Sequence, residues 1–151
     1  MKKLLGIVVL SLLWCNPSNA SKHWGEGELQ LTKGIADYFI QFIRGKGSKH
    51  PADFYVTLDG TDALYWYCSA GPANCLEGSS KEDIKVCERI TEKKCKKFAF
   101  KRTIKWKNGI NTGKGNVSKI NSKWSDSEIY AKLTELGFYK NDSSTNSTKK
   151  E

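Results

Sequence analysis

From Ile35 onward the apolar positions recur at intervals of three and four. Ile35, Tyr38, Phe39, Phe42 and Ile43 form one stripe, the pattern of an amphipathic helix. Thr32 stands where a hydroxyl can accept from the free amides of a first turn, and Gly45 supplies the stop. The period then shortens to two. Asp53 to Asp59 and Ala63 to Ser69 are rich in aromatic and β-branched residues and flank Asp59-Gly60-Thr61-Asp62, which predicts a β-hairpin. Ser80 with Asp83 forms a weak capping box, and Ile84, Cys87 and Ile90 mark the inward side of a second helix. Cys95 to Lys107 reads as a third strand bent at Lys101-Arg102. Ser125 with Glu128 is a stronger capping box, and Ile129, Leu133 and Leu136 line a third helix that stops at Gly137. The order α-β-β-α-β-α predicts an α+β fold: a small, mainly antiparallel sheet, hairpin plus third strand, packed with about three helices.

The N-terminus changes the expected compartment. Lys2 and Lys3 precede an apolar run from Leu4 to Trp14, and Ser18-Asn19-Ala20 follows as a small-residue cleavage site, the three-part pattern of a secretory signal peptide. The run is too short for the roughly twenty residues that span a bilayer, so no transmembrane anchor is expected. Bulky Trp14 before Cys15 argues against lipidation. The expected organisation is a leader over 1–20, cleaved near Ala20, one domain over 21–139, and a disordered polar tail over 140–151 that has no apolar residues to bury. Four cysteines remain in the mature chain: Cys68, Cys75, Cys87 and Cys95. In an exported domain they read as two disulfides, the local pairing being preferred among the three that four cysteines permit. Zinc fits poorly, because the gaps are long and His23 and His50 lie far upstream.

Charge adds a candidate surface. The segment 93–124 holds 11 basic and no acidic residues, so the excess positive charge of the mature chain belongs to that quarter of it. Within it, Phe98, Phe100, Ile104 and Trp106 share one strand parity, while Lys97, Lys101 and Lys105 share the other. In the hairpin Phe54, Val56, Leu58, Leu64, Trp66 and Cys68 are expected inward, and Tyr55, Tyr65 and Tyr67 outward. If these faces align, Lys97, Lys101, Lys105, Tyr65 and Tyr67 form an outer surface suited to an anionic glycan, a lipid headgroup or an acidic envelope protein. The commoner origin of such a pattern is a solubilising face, with edge lysines that discourage strand pairing and tyrosines packed beneath the first helix. Nucleic acid is the weaker partner, since no known module pattern of base-stacking aromatics is present.

Catalytic chemistry finds no foothold. Neither histidine neighbours a nucleophile in an elbow context. Asp59 and Asp62 lack the alternating ligands and terminal glutamate of a calcium loop, and Gly113-Lys114-Gly115 lacks the spacing and hydroxyl of a phosphate loop. No cofactor is implied, and the expectation leans away from an enzyme. Taken together, MKKLLGIVVLSLLWCN, LDGTDALYWYC, CERITEKKCKKFAFKRTIKWKNGIN and the closing GKGNVSKI and KWSDSEIYAKLTELGFY resemble a family of small, uncharacterised, signal-peptide-bearing exported proteins of marine alphaproteobacteria of the Pelagibacter type. That resemblance implies a periplasmic or secreted protein of a Gram-negative envelope with two bridges, and it brings no site residues. The leading expectation is a non-catalytic binding protein; the alternative is a structural or accessory protein docking on an envelope partner through Tyr65 and Tyr67.

Overall fold

The computed structural model describes residues 23–71 and 73–140. The expected leader and the polar tail beyond Lys140 lie outside the described residues. The element order is α1 (Lys33–Arg44), β1 (His50–Thr57), β2 (Ala63–Cys68), α2 (Ser80–Thr91), β3 (Cys95–Phe100), β4 (Thr103–Ile104) and α3 (Asp126–Glu135), with a 3₁₀ turn at Asn116–Ser118 before α3. The four strands form one antiparallel sheet in the order β2-β1-β3-β4. This is the expected α+β class. Among the described residues no helix is long and apolar enough to cross a membrane.

Local chemistry places the helices as the pattern predicts. Thr32 accepts from the Ile35 amide, and Gly45 ends α1 with φ at 79° while its amide donates to the Phe42 carbonyl. The Ser125–Glu128 capping box is complete on both sides. Phe39, Phe42 and Ile43 from α1 and Ile129 and Leu133 from α3 meet Phe54, Val56, Phe98 and Ile104 from the sheet in one core. Arg44 pairs with Asp126, and the Tyr130 hydroxyl donates to Asp37, tying α3 to α1.

The opposite side of the sheet is also covered. There α2 packs on β3 and β1, and Tyr55, Cys87 and Cys95 form a second, smaller core with Leu64 and Ile84. Cys87–Cys95 joins α2 to β3 and Cys68–Cys75 ties the end of β2 to the loop before α2, so the local pairing is the one formed. Two disulfides fit an extracellular or periplasmic protein. Ile90 was expected on the inward side of α2 but is 63 % exposed. Ser80 was expected as the cap, yet Ser79 holds that place without a side-chain hydrogen bond, and Ser80 begins the helix itself.

Strand parity departs from simple alternation at two points, each with a mechanical cause. In the hairpin, Val56 faces Ala63, Tyr55 faces Leu64 and Phe54 faces Tyr65. Partners directly opposite share a face, so Tyr65 joins Phe54 on the α1 side. Trp66 turns to the other side and is 41 % exposed. In β3 the partner of Phe54 is Ala99 and the partner of Tyr55 is Lys97, leaving Phe98 as an extra residue of a bulge. Phe98 and Ala99 therefore both enter the α1-side core. Phe100 falls on the other side, close to Lys97. The expected bend at Lys101-Arg102 is a full reversal, with Lys101 at φ 52° between antiparallel β3 and β4.

Because β4 is short, it covers only the last part of β3. The glycine-rich stretch His23–Gly27 covers the rest: the Lys97 amide donates to the His23 carbonyl at 2.8 Å, and Gly25 exchanges bonds with Lys97 and Lys107. Gly25 permits this approach, since a Cβ there would lie 1.9 Å from Cε3 of buried Trp106. Gly25→Ala is expected to lower stability by about 1–3 kcal/mol, the usual range for forcing atoms into a filled core. A urea melt should show a lower midpoint at unchanged slope; an unchanged midpoint contradicts the packing.

A candidate anion-binding cleft beside a buried lysine

Lys97 is fully buried on the α2 side of β3. Its Nζ lies 2.5 Å from Asp53 Oδ1 on neighbouring β1 and 2.8 Å from Glu77 Oε1 in the loop before α2. It also donates to the Ser80 hydroxyl at 3.3 Å, which explains why Ser80 turns inward at the start of α2. The rings of Trp24 and Phe100 stand 4.8 and 5.2 Å from the ammonium, adding cation–π attraction. The Asp53 contact has ion-pair distance without hydrogen-bond alignment, so Oδ1 accepts no directed bond. Oδ2 accepts from the Gly78 amide at 3.3 Å. Nearby, Tyr55 donates to Asp83 at 3.0 Å. Burial, then the charges of Asp53 and Asp83, push its phenol well above the ordinary range, so it stays a donor.

The two carboxylates differ in kind. Asp53 is 4 % exposed and belongs to the interior, whereas Glu77 is 44 % exposed and reaches Lys97 from the wall of a surface cleft. That cleft, about 420 Å³, is bounded by Trp24 and Phe100 and by Lys105, Lys107 and Lys114, with Glu26 and Glu77 as its acids. Among the described residues none of these three lysines has a carboxylate within ion-pair distance. Lys97 can balance only one of Asp53 and Glu77, yet Lys97, Lys105, Lys107 and Lys114 still outnumber Asp53, Glu77 and Glu26, so the cleft is net positive. Lys101 adds to it from the hairpin turn, its Nζ standing 5.3 Å from the Phe100 ring.

A buried polar network holds the cationic wall. Asn111, 1 % exposed, donates to the carbonyls of Ile104 and Trp106 and accepts from the Ser118 hydroxyl at 2.6 Å. These bonds fold the segment after β4 back on itself. Gly113 then lies so close that a Cβ would stand 2.6 Å from the Lys105 carbonyl, which brings Lys114 beside Lys105. In water three lysines repel one another; here a rigid backbone fixes them around a partly apolar floor, where a bound anion is less screened than in bulk solvent.

The expected common face of lysines and tyrosines is not formed. Lys105 lines the cleft and Lys101 stands over the Phe100 ring that bounds it, but Lys97 is an interior ion-pair partner because α2 roofs the side of the sheet to which it points. Tyr65 and Tyr67 lie on the opposite side: Tyr65 sits 4.4 Å from Tyr38 and 5.4 Å from Phe42, and Tyr67 donates to the Gln41 carbonyl. Their rings pack with α1. Burial, and then the Tyr67 hydroxyl beside it, raises the Tyr65 phenol. Trp24, Lys107, Lys114 and Glu77 escaped the pattern reading, because they come from loops whose approach depends on glycine and asparagine geometry rather than on periodicity. Asp59 and Asp62 serve the hairpin turn. Asp59 accepts from Thr57 and Thr61, and those bonds hold its carboxyl well below the usual range, with Lys93 3.2 Å away. No protein-family model matches the chain, and no curated protein or solved structure does either.

Proposed function

We propose that this protein is a non-catalytic binding protein of the extracytoplasmic envelope, periplasmic in location, that holds an anionic glycan in the Trp24–Phe100 cleft. The observation that carries this reading is the convergence of Lys105, Lys107 and Lys114, none with a carboxylate partner among the described residues, on one cleft floored by two aromatic rings. Ammonium groups attract carboxylate, phosphate or sulfate, and aromatic rings suit the apolar faces of sugar rings. Glu77, held by Lys97, sets a negative limit on one side and disfavours crowding by further acid groups. Docking through Tyr65 and Tyr67 gains no support from rings that pack with α1.

The test is calorimetric titration of the full mature chain with a galacturonate trimer, with a neutral glucose trimer as comparator. Binding of the acidic sugar should weaken about tenfold or more as salt rises from about 50 to 500 mM, because exposed charges are screened over a Debye length of ~10 Å near 0.1 M. Lys105→Glu with Lys107→Glu and Lys114→Glu should abolish it, while Glu77→Gln should strengthen it by removing a like charge. Equal binding of both sugars, or an unaffected triple variant that melts normally, contradicts the reading.

A further inference from the structure

The cleft is not the end of the cationic surface. A second depression of about 410 Å³ lies on the other flank of the β3–β4 hairpin, formed by Arg102, Asn116, Lys119, Asn121, Ser122 and Trp124. Its side is fixed by contacts: Arg102 Nε donates to the Ile43 carbonyl of α1 at 2.9 Å, whereas the first cleft adjoins Lys97 and Glu77 on the α2 side. Lys119 pairs its backbone with Thr103 of β4, and the Ile120 amide donates to the Arg102 carbonyl at 2.7 Å, so this flank is as firmly attached as the first. Neither Arg102 nor Lys119 has a carboxylate partner among the described residues. Lys101 occupies the turn that joins β3 to β4.

The same chemistry therefore occurs twice, an aromatic ring beside unpaired cations, on either flank of a two-strand hairpin whose turn is itself basic. Resting on the reading of the first cleft, we propose that the two depressions are successive subsites for one extended acidic polysaccharide that crosses the β3–β4 hairpin. A ligand that repeats a ring and a charge along its length matches a protein surface that repeats their complements. Asn116, Asn121 and Ser122 add neutral donors and acceptors in the second depression. These suit hydroxyl groups, which a polysaccharide displays on each residue and a DNA backbone does not. Occupying two linked subsites makes the second contact intramolecular and raises affinity without new chemistry.

The experiment compares a galacturonate trimer with a long galacturonate chain on the full mature protein and on Asn116→Asp with Lys119→Glu, two exposed positions outside the first cleft. The long chain should bind the native protein about tenfold or more tighter than the trimer. The double variant should keep trimer affinity and lose most of that advantage, at an unchanged melting temperature. If the trimer binds and the long chain gains nothing, or keeps its gain in the variant, the two-subsite inference is overturned and the first cleft stands. If neither binds, both readings fall together. A single-stranded homopolymeric DNA that outcompetes the long glycan overturns the polysaccharide assignment.

Discussion

Lys97→Met is expected to cost about 3–5 kcal/mol, the range for removing one partner of a buried ion pair. Methionine fills much of the space but leaves Asp53, 4 % exposed, without its counter-ion. Glu77 will not share that penalty, since it is 44 % exposed and can hydrate. Asp53→Leu added to Lys97→Met should recover most of the stability, because replacing both charges removes the unpaired one. Denaturant melts of the two variants decide this. A Lys97→Met protein as stable as the native one at neutral pH would mean that Lys97 is not held by Asp53.

The second large effect concerns α2. Cys87→Ala with Cys95→Ala opens a link of 8 residues, which by chain entropy alone contributes about 2.5 kcal/mol. Both sulfurs are buried against Tyr55, so their removal also leaves space in the smaller core. The helix has few other apolar anchors: Cys87 is its one buried apolar residue, Ile84 is partly buried and Ile90 faces outward. A total loss of about 3–4 kcal/mol follows. Amide exchange should be fastest in α2, while α1 and β1 keep their protection. Uniform loss of protection across the sheet and both other helices would contradict the view that this bridge chiefly fastens α2.

These two predictions concern the side of the molecule that periodicity read least well. α1, α3 and the hairpin declare themselves because each has a strong apolar pattern and a matching cap or turn. The local disulfides are the pairing preferred among the three that four cysteines permit, a preference the sequence alone could not decide. What alternation alone could not reveal is that α2, with its thin apolar side, covers the far face of the sheet. Lys97 has the parity of a solvent lysine, and nothing near it in sequence names Asp53 or Glu77 as partners. The tyrosines of β2 moved sides because register is set by pairing across the turn, not by which parity is more apolar within one strand. The bulge at Phe98 had the same consequence for Phe100. The cleft was half visible: Lys105 and Lys101 were expected at a ligand surface, and the basic run from 93 to 124 marked the region. Trp24 was not, since its place beside β3 depends on long-range backbone pairing through a stretch that reads as irregular.

The most direct test of the account is an amide chemical-shift map of the isotope-labelled chain of residues 21–151 titrated with the galacturonate trimer. The largest changes should gather at Gly25, Phe100, Lys107 and Gly113, around Lys105, Lys107 and Lys114. Changes centred instead on Tyr65 and Tyr67, or no saturable change anywhere, would contradict the assignment of this cleft as the place where the protein meets its ligand.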